Sequence, residues 1–159
     1  MIKLGELVRD ESSGVEGIAV TRSTTWTGLI RFTIQPQSED AKAMPDGFDI
    51  DHHVLTRIDD GISNKVIPAD IMNPELLGAV VQDIHTGQVG TAMQQTEFLN
   101  GCVMYSVQPR VDKDGKALPT FWADQKALVM VTQAEEPVVA SPDVSGGPST
   151  RLKREKAVR

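Results

Sequence analysis

The chain has 159 residues, 40% of them apolar and 4% aromatic, with nine Pro, thirteen Gly, one Cys and a formal net charge of −6. That length suits one ordinary domain or two small ones. No apolar run reaches the ~18–20 residues of a helical membrane span, Met1-Ile2-Lys3-Leu4-Gly5-Glu6 does not open a secretory signal, and one cysteine excludes an internal disulfide or a Cys-rich zinc site, so a reducing cytosol, or a particle assembled there, is expected.

In chain order, Leu4–Asp10 reads as a first strand, followed by the turn Glu11-Ser12-Ser13-Gly14 with a Gly free to take positive φ. Glu16–Ser23 reads as a second strand. A loop then closes at Thr27-Gly28 and leads into Leu29–Gln35. There Ile30, Phe32 and Ile34 alternate with Arg31 and Thr33, the period of two that a half-buried strand requires. Pro36 ends it. A polar loop, 37–47, precedes short strands around Phe48–Ile50 and Val54–Ile58, with Asp51 between them as the expected cap of a tight or 3₁₀ turn.

The same elements then recur. A shift of 73 residues aligns the two halves without a gap and gives 13 identities in the 55 positions from 4 to 58. Chance would give roughly three or four for ordinary compositions. The matches concentrate at backbone-determining residues: Gly5, Gly14, Gly17 and Gly28 fall on Gly78, Gly87, Gly90 and Gly101, and Gln35-Pro36 falls on Gln108-Pro109. Asp10 and Asp51 fall on Asp83 and Asp124, and Ile30, Phe32 and Ile34 meet Val103, Tyr105 and Val107. Gly permits positive φ or close backbone approach and Pro fixes φ, so shared positions predict a shared backbone path. In the copy, Val89–Thr96 is the second strand, Asn100-Gly101 a strong hairpin signal and Cys102–Val107 the third strand.

Five short strands in about 55 residues, with one long loop and one turn before the last strand, predict an all-β chain of two tandem SH3-like small barrels. Closure of each barrel would remove most free edges. The expected division is a first barrel at 1–60, a linker at 61–74, a second barrel at 75–133 and an extended arm at 134–159. Within the linker, Ile67-Pro68-Ala69-Asp70-Ile71-Met72 reads as one helical turn. The arm holds Pro137, Pro142, Gly146, Gly147 and Pro148, a linker-like composition, before a basic end.

That end carries Arg151, Lys153, Arg154, Lys156 and Arg159 against Glu155, so residues 1–150 carry the opposite balance, −10. An acidic body repels phosphate backbones. The five basic residues are therefore the expected partner-binding set, suited to an acidic groove or to neighbouring subunits of an assembly. Only this tail has the charge for nucleic acid.

Candidate chemistry is thin. His52 and His53 lie near Asp49 and Asp51, but adjacent side chains diverge and the copy has Gln125-Lys126 there, which argues for exposed polar residues over metal ligands. His85 sits beside a Thr-Gly turn and is expected on the surface. Cys102 is expected as a small buried apolar residue rather than a nucleophile. Asp10, Asp83, Asp51 and Asp124 are repeated carboxylates at turns, where capping explains them more simply than acid–base catalysis. The sequence contains neither a Gly-rich phosphate loop nor a nucleophile elbow. The expectation is a non-enzyme with no cofactor and no metal.

Leu4-Gly5-Glu6-Leu7-Val8-Arg9-Asp10 with Gly14-Val15-Glu16-Gly17-Ile18-Ala19, and Thr96-Glu97-Phe98-Leu99-Asn100-Gly101-Cys102 with Gln108-Pro109, resemble a family of small tailed-bacteriophage proteins over about 120 residues. The first half carries Thr24-Thr25-Trp26-Thr27-Gly28 where that pattern has its Asn-Gly segment. The strand–turn–Gly opening is more weakly similar to KOW-type modules. The resemblance implies a structural protein of the virion, a capsid decoration or cement protein, bound to the major capsid protein or other virion subunits, with self-association a further reading. The alternative is an intracellular phage adaptor or regulator, binding a host protein, a nucleotide-like ligand or, through the tail, nucleic acid.

Overall fold

A computed structural model describes residues 1–38 and 45–132. The expected strands are there, with their ends displaced along the chain. The first half contains β1 (Leu7–Asp10), β2 (Glu16–Thr25), β3 (Ile30–Gln35), β4 (Phe48–Asp51) and β5 (Leu55–Asp59). The second contains β6 (Val80–Asp83), β7 (Val89–Phe98), β8 (Val103–Pro109), β9 (Phe121–Asp124) and β10 (Leu128–Thr132). All pairings among them are antiparallel, and the only helical turns among the described residues are four 3₁₀ turns. The protein is all-β.

The duplication read from sequence is a duplication of pairing. β1 pairs with β2 and β5, β2 with β3, and β3 with β4. Likewise β6 pairs with β7 and β10, β7 with β8, and β8 with β9. Each half buries its own core. Val8, Ala19, Phe32 and Ile34 form the first, and Val81, Ala92, Tyr105 and Val107, their equivalents 73 residues on, lie in the second with Leu76, Val103 and Leu128. A 3₁₀ turn precedes the last strand in both halves, at His52–Val54 and Gln125–Ala127. The expected caps divide, however. Asp124 accepts from the Lys126 amide at 2.8 Å, whereas Asp51 makes no cap bond and instead takes Arg31 Nε at 2.6 Å across the β3–β4 pair.

The halves are joined by main-chain pairing that the sequence did not announce. The second part of β2 lies against the second part of β7, with Thr21 opposite Phe98, Arg22 opposite Glu97, Ser23 opposite Thr96, Thr24 opposite Gln95 and Thr25 opposite Gln94. Ser23 and Thr96 are themselves equivalents, and their hydroxyls meet at 2.9 Å. Every other pair in this seam exchanges under the same operation, the isologous arrangement of a twofold dimer. Bulges at equivalent places, between Ala19 and Thr21 and between Ala92 and Gln94, mark where each long strand leaves its own half and enters the seam.

Three expectations need correction. Among the described residues the sheet does not close: β4, β5, β9 and β10 each pair on one side only, and the long strands pair with each other along their second halves. Ile67–Met72 forms no helical turn. Pro68 disfavours the helical region at Ile67, and the Ile67 amide donates instead to the Leu99 carbonyl at 2.9 Å, with 3₁₀ turns falling outside the segment at Ser63–Lys65 and Pro74–Leu76. Cys102 is half-buried and precedes β8, because its amide closes the turn onto Asn100 Oδ1 at 3.0 Å rather than joining the ladder.

Tyr105 is the chain's only tyrosine, fully buried, with its hydroxyl donating to the Asn73 carbonyl at 3.2 Å. Burial pushes the phenol up to about 12, aided by Glu75 and Glu97. Absorbance at 295 nm on alkaline titration is therefore expected to show a late tyrosinate transition near that value, returning to about 10 in denaturant. A folded-state midpoint at the ordinary value would contradict the burial.

Candidate functional site

The five basic residues expected to bind a partner, Arg151, Lys153, Arg154, Lys156 and Arg159, lie outside the described residues, as does the whole arm at 134–159. The structure therefore locates candidate surfaces only on the body. Of the repeated carboxylates, Asp10 and Asp83 are turn-builders in both copies. Asp10 accepts from the Ser12 amide at 2.9 Å and from the Ser12 and Ser13 hydroxyls at 2.7 and 2.6 Å. Asp83 accepts from the His85 amide at 2.8 Å and the Thr86 hydroxyl at 3.1 Å. The Gly14 and Gly87 amides then close each turn onto the carbonyl of the same aspartate at 2.7 and 2.8 Å, with φ of +76° and +73°.

These hydrogen bonds favour the charged form of both carboxylates and hold them below the usual range: for Asp10 the Ser13 and Ser12 hydroxyls lead, for Asp83 the His85 amide. A group with a depressed folded pKa contributes stability that is present above its unfolded value and lost as pH falls through the folded one. Stability is thus expected to fall as pH drops below about 4. The double variant Asp10→Asn, Asp83→Asn should be less stable at neutral pH and lose less on acidification, as read by urea midpoints across pH. An unchanged acid limb would rule this out.

The remaining candidates carry no reactive geometry. The His52 and His53 rings stand edge to face, 5.9 Å between centroids. His85 is exposed, with Nδ1 3.5 Å from Asp83 Oδ1. Burial and the carboxylate of Asp124, 3.7 Å from Sγ, push the Cys102 thiol up, away from a thiolate. Among the described residues no group of three His, Cys, Asp or Glu is placed to hold a metal ion.

Two surfaces stand out, and both arise where the copies diverge. On β5 the edge is charged: Arg57 donates to Glu6 at 2.8 Å and pairs with Asp60. The equivalent residues of the second half, Met130, Ala79 and Gln133, cannot make these pairs. Val129 and Val131 of β10 are exposed at 46% and 52%, and Val89 of β7 at 40%, across Gln82 on the same face. The first half has Thr56, Ile58 and Glu16 there, the last paired to Arg9. An apolar edge of this kind is a ready surface for association.

The second surface is a cleft of about 450 Å³ beside the seam. Apolar residues of two segments, Met1–Leu4 and Val66–Ala69, line it, and Lys3, Arg22, Ser63 and Glu97 supply its polar groups. Sequence reading missed it because its walls come from the opening residues and from a stretch that reads as linker. Its nearest signal was Arg22, a long cation inside a strand of small polar residues. Compared with protein families, curated proteins and solved structures, the chain matches none.

Proposed function

We propose that this chain is a non-enzymatic structural protein of a tailed-bacteriophage virion, a decoration or cement protein on the capsid surface. Its partner would be the major capsid protein, engaged through the body and through the basic arm bearing Arg151, Lys153, Arg154, Lys156 and Arg159. The finer fold reading is two SH3-like modules, supported by the strand order 5-1-2-3-4 in each half and by the 3₁₀ turn before the last strand. The observation that carries the functional reading is the fused twofold body. Two copies of one β-module, locked by the β2–β7 seam, present one rigid platform. On it the second copy carries the exposed Val89–Val129–Val131 face, with Val89 in place of Glu16, which pairs with Arg9 in the first copy. A rigid platform with an extended arm gains area and avidity without a large core. The resemblance of its Thr96–Cys102 and Leu4–Ala19 stretches to small phage proteins supplies the setting.

Mass spectrometry of purified virions tests the reading, with the protein expected as a stoichiometric component; its absence from the particle ends it. Deletion of residues 137–159 is expected to reduce incorporation at least about tenfold, since a linked second contact multiplies affinity. The cleft beside the seam favours a second reading, an intracellular adaptor that takes a ligand between its two modules. A virion-free protein that co-purifies with one host partner would replace the first with the second.

A further inference from the structure

Arg22 is a cation whose hydrogen-bonding capacity is only partly used. On the core side of β2 it lines the cleft and faces Glu97 across the seam, but its Nη1 lies a long 3.5 Å from the carboxylate. Its Nε is buried with no hydrogen-bond partner among the described residues. For Nη2 the contact is the Met1 sulfur at 3.9 Å, a weak acceptor. A buried guanidinium donor without an oxygen acceptor is costly, so the site is energetically incomplete. Nε and Nη2 form one edge of the planar group, the edge that grips a carboxylate with two parallel hydrogen bonds.

The surroundings select what such a carboxylate is attached to. Ile2, Leu4, Val66, Ile67 and Pro68 wall the cleft with apolar surface, and its volume lies within the usual range for small-molecule sites. Lys3 adds a second positive charge, which outweighs Glu97. Met1, whose sulfur lies against Nη2, is itself 90% exposed, so moving it aside forfeits little burial. The other half offers no counterpart: the equivalent of Arg22 is Gln95, and the equivalent of Lys3 is Leu76, buried in the second core.

We propose that this cleft binds a small aliphatic monocarboxylate, its head held by Nε and Nη2 of Arg22 and its chain lying between the Ile2–Leu4 and Val66–Pro68 walls. The site does not depend on the virion reading, since a particle subunit and a free adaptor would carry it alike.

Titration of the ¹⁵N-labelled full chain with octanoate, octan-1-ol and octylammonium tests it. Octanoate is expected to shift the amides of Ile2, Leu4 and Ile67 and the Arg22 Nε–H resonance, and to bind at least about tenfold tighter than either of the others. Arg22→Met should abolish that preference while leaving far-UV dichroism unchanged, and Arg22→Lys, which keeps the charge without the fork, should retain only part of it. Equal binding of octanoate and octanol, no binding of octanoate, or octanoate affinity undiminished in Arg22→Met overturns the proposal. The comparison of the three probes on the unaltered chain decides even if Arg22→Met does not fold.

Discussion

Alanine at Gly90 is expected to lower the urea midpoint by about 1–2 M, a loss of about 3 kcal/mol. Gly90 lies in β7 opposite Pro109 of the neighbouring β8, and a Cβ there would sit 2.5 Å from the Gln108 carbonyl oxygen and 2.7 Å from its carbon. Those are backbone atoms of a paired strand, so relief requires β7 and β8 to separate. Gly17 meets the same obstacle in the first copy, 2.6 Å from the Gln35 oxygen. The control is Gly14→Ala. Its φ of +76° strains any side chain, but nothing lies within 4 Å of its Cβ, so the cost should stay near 1 kcal/mol. Gly14 and Gly90 are both glycines of the repeat, yet one is needed for its φ and the other for its lack of a side chain. Equal costs at the two positions would refute this division.

Phe32→Ala and Tyr105→Ala should each cost about 3–5 kcal/mol, because each empties the centre of one core. Both rings are buried, 1% and 0% exposed, and they are equivalents under the 73-residue shift. The more informative outcome is the shape of the transition. The cores are separate clusters, so two independent halves would leave the undamaged one folded and the unfolding curve biphasic. The β2–β7 seam opposes that outcome: five residue pairs, with the Trp26 amide continuing the ladder to the Met93 carbonyl at 2.9 Å, make each half part of the other's sheet. One cooperative transition is expected in both variants by fluorescence and by far-UV dichroism. Two resolved transitions would show the seam to be a contact between independent units.

Much of the fold could be read in the sequence because the repeat reports backbone geometry directly. The Gly and Pro positions that match at a shift of 73 mark turns and close approaches, and the alternation in Ile30–Ile34 and Val103–Val107 marks the faces turned to each core. Asp10 and Asp83 were legible as turn caps for the same reason: their partners lie two or three residues away. Less of the candidate surfaces could be read. The Val89–Val129–Val131 face depends on the register that sets β10 against β6 and β6 against β7, and the cleft on where the chain returns after β5.

What the sequence determined by itself is the duplication, the all-β class and the residues that turn the chain, since each depends on interactions within a few positions or on a copied pattern. What only the tertiary structure decided is that the copies share one sheet. Residues 21–25 and 94–98 are polar except for Phe98, so no hydrophobic alternation marks them as paired, and main-chain hydrogen bonds form with almost any side chain attached. The same pairing brings Arg22 to Glu97 in the lining of a largely apolar cleft, an environment set by strands and loops far apart in the chain.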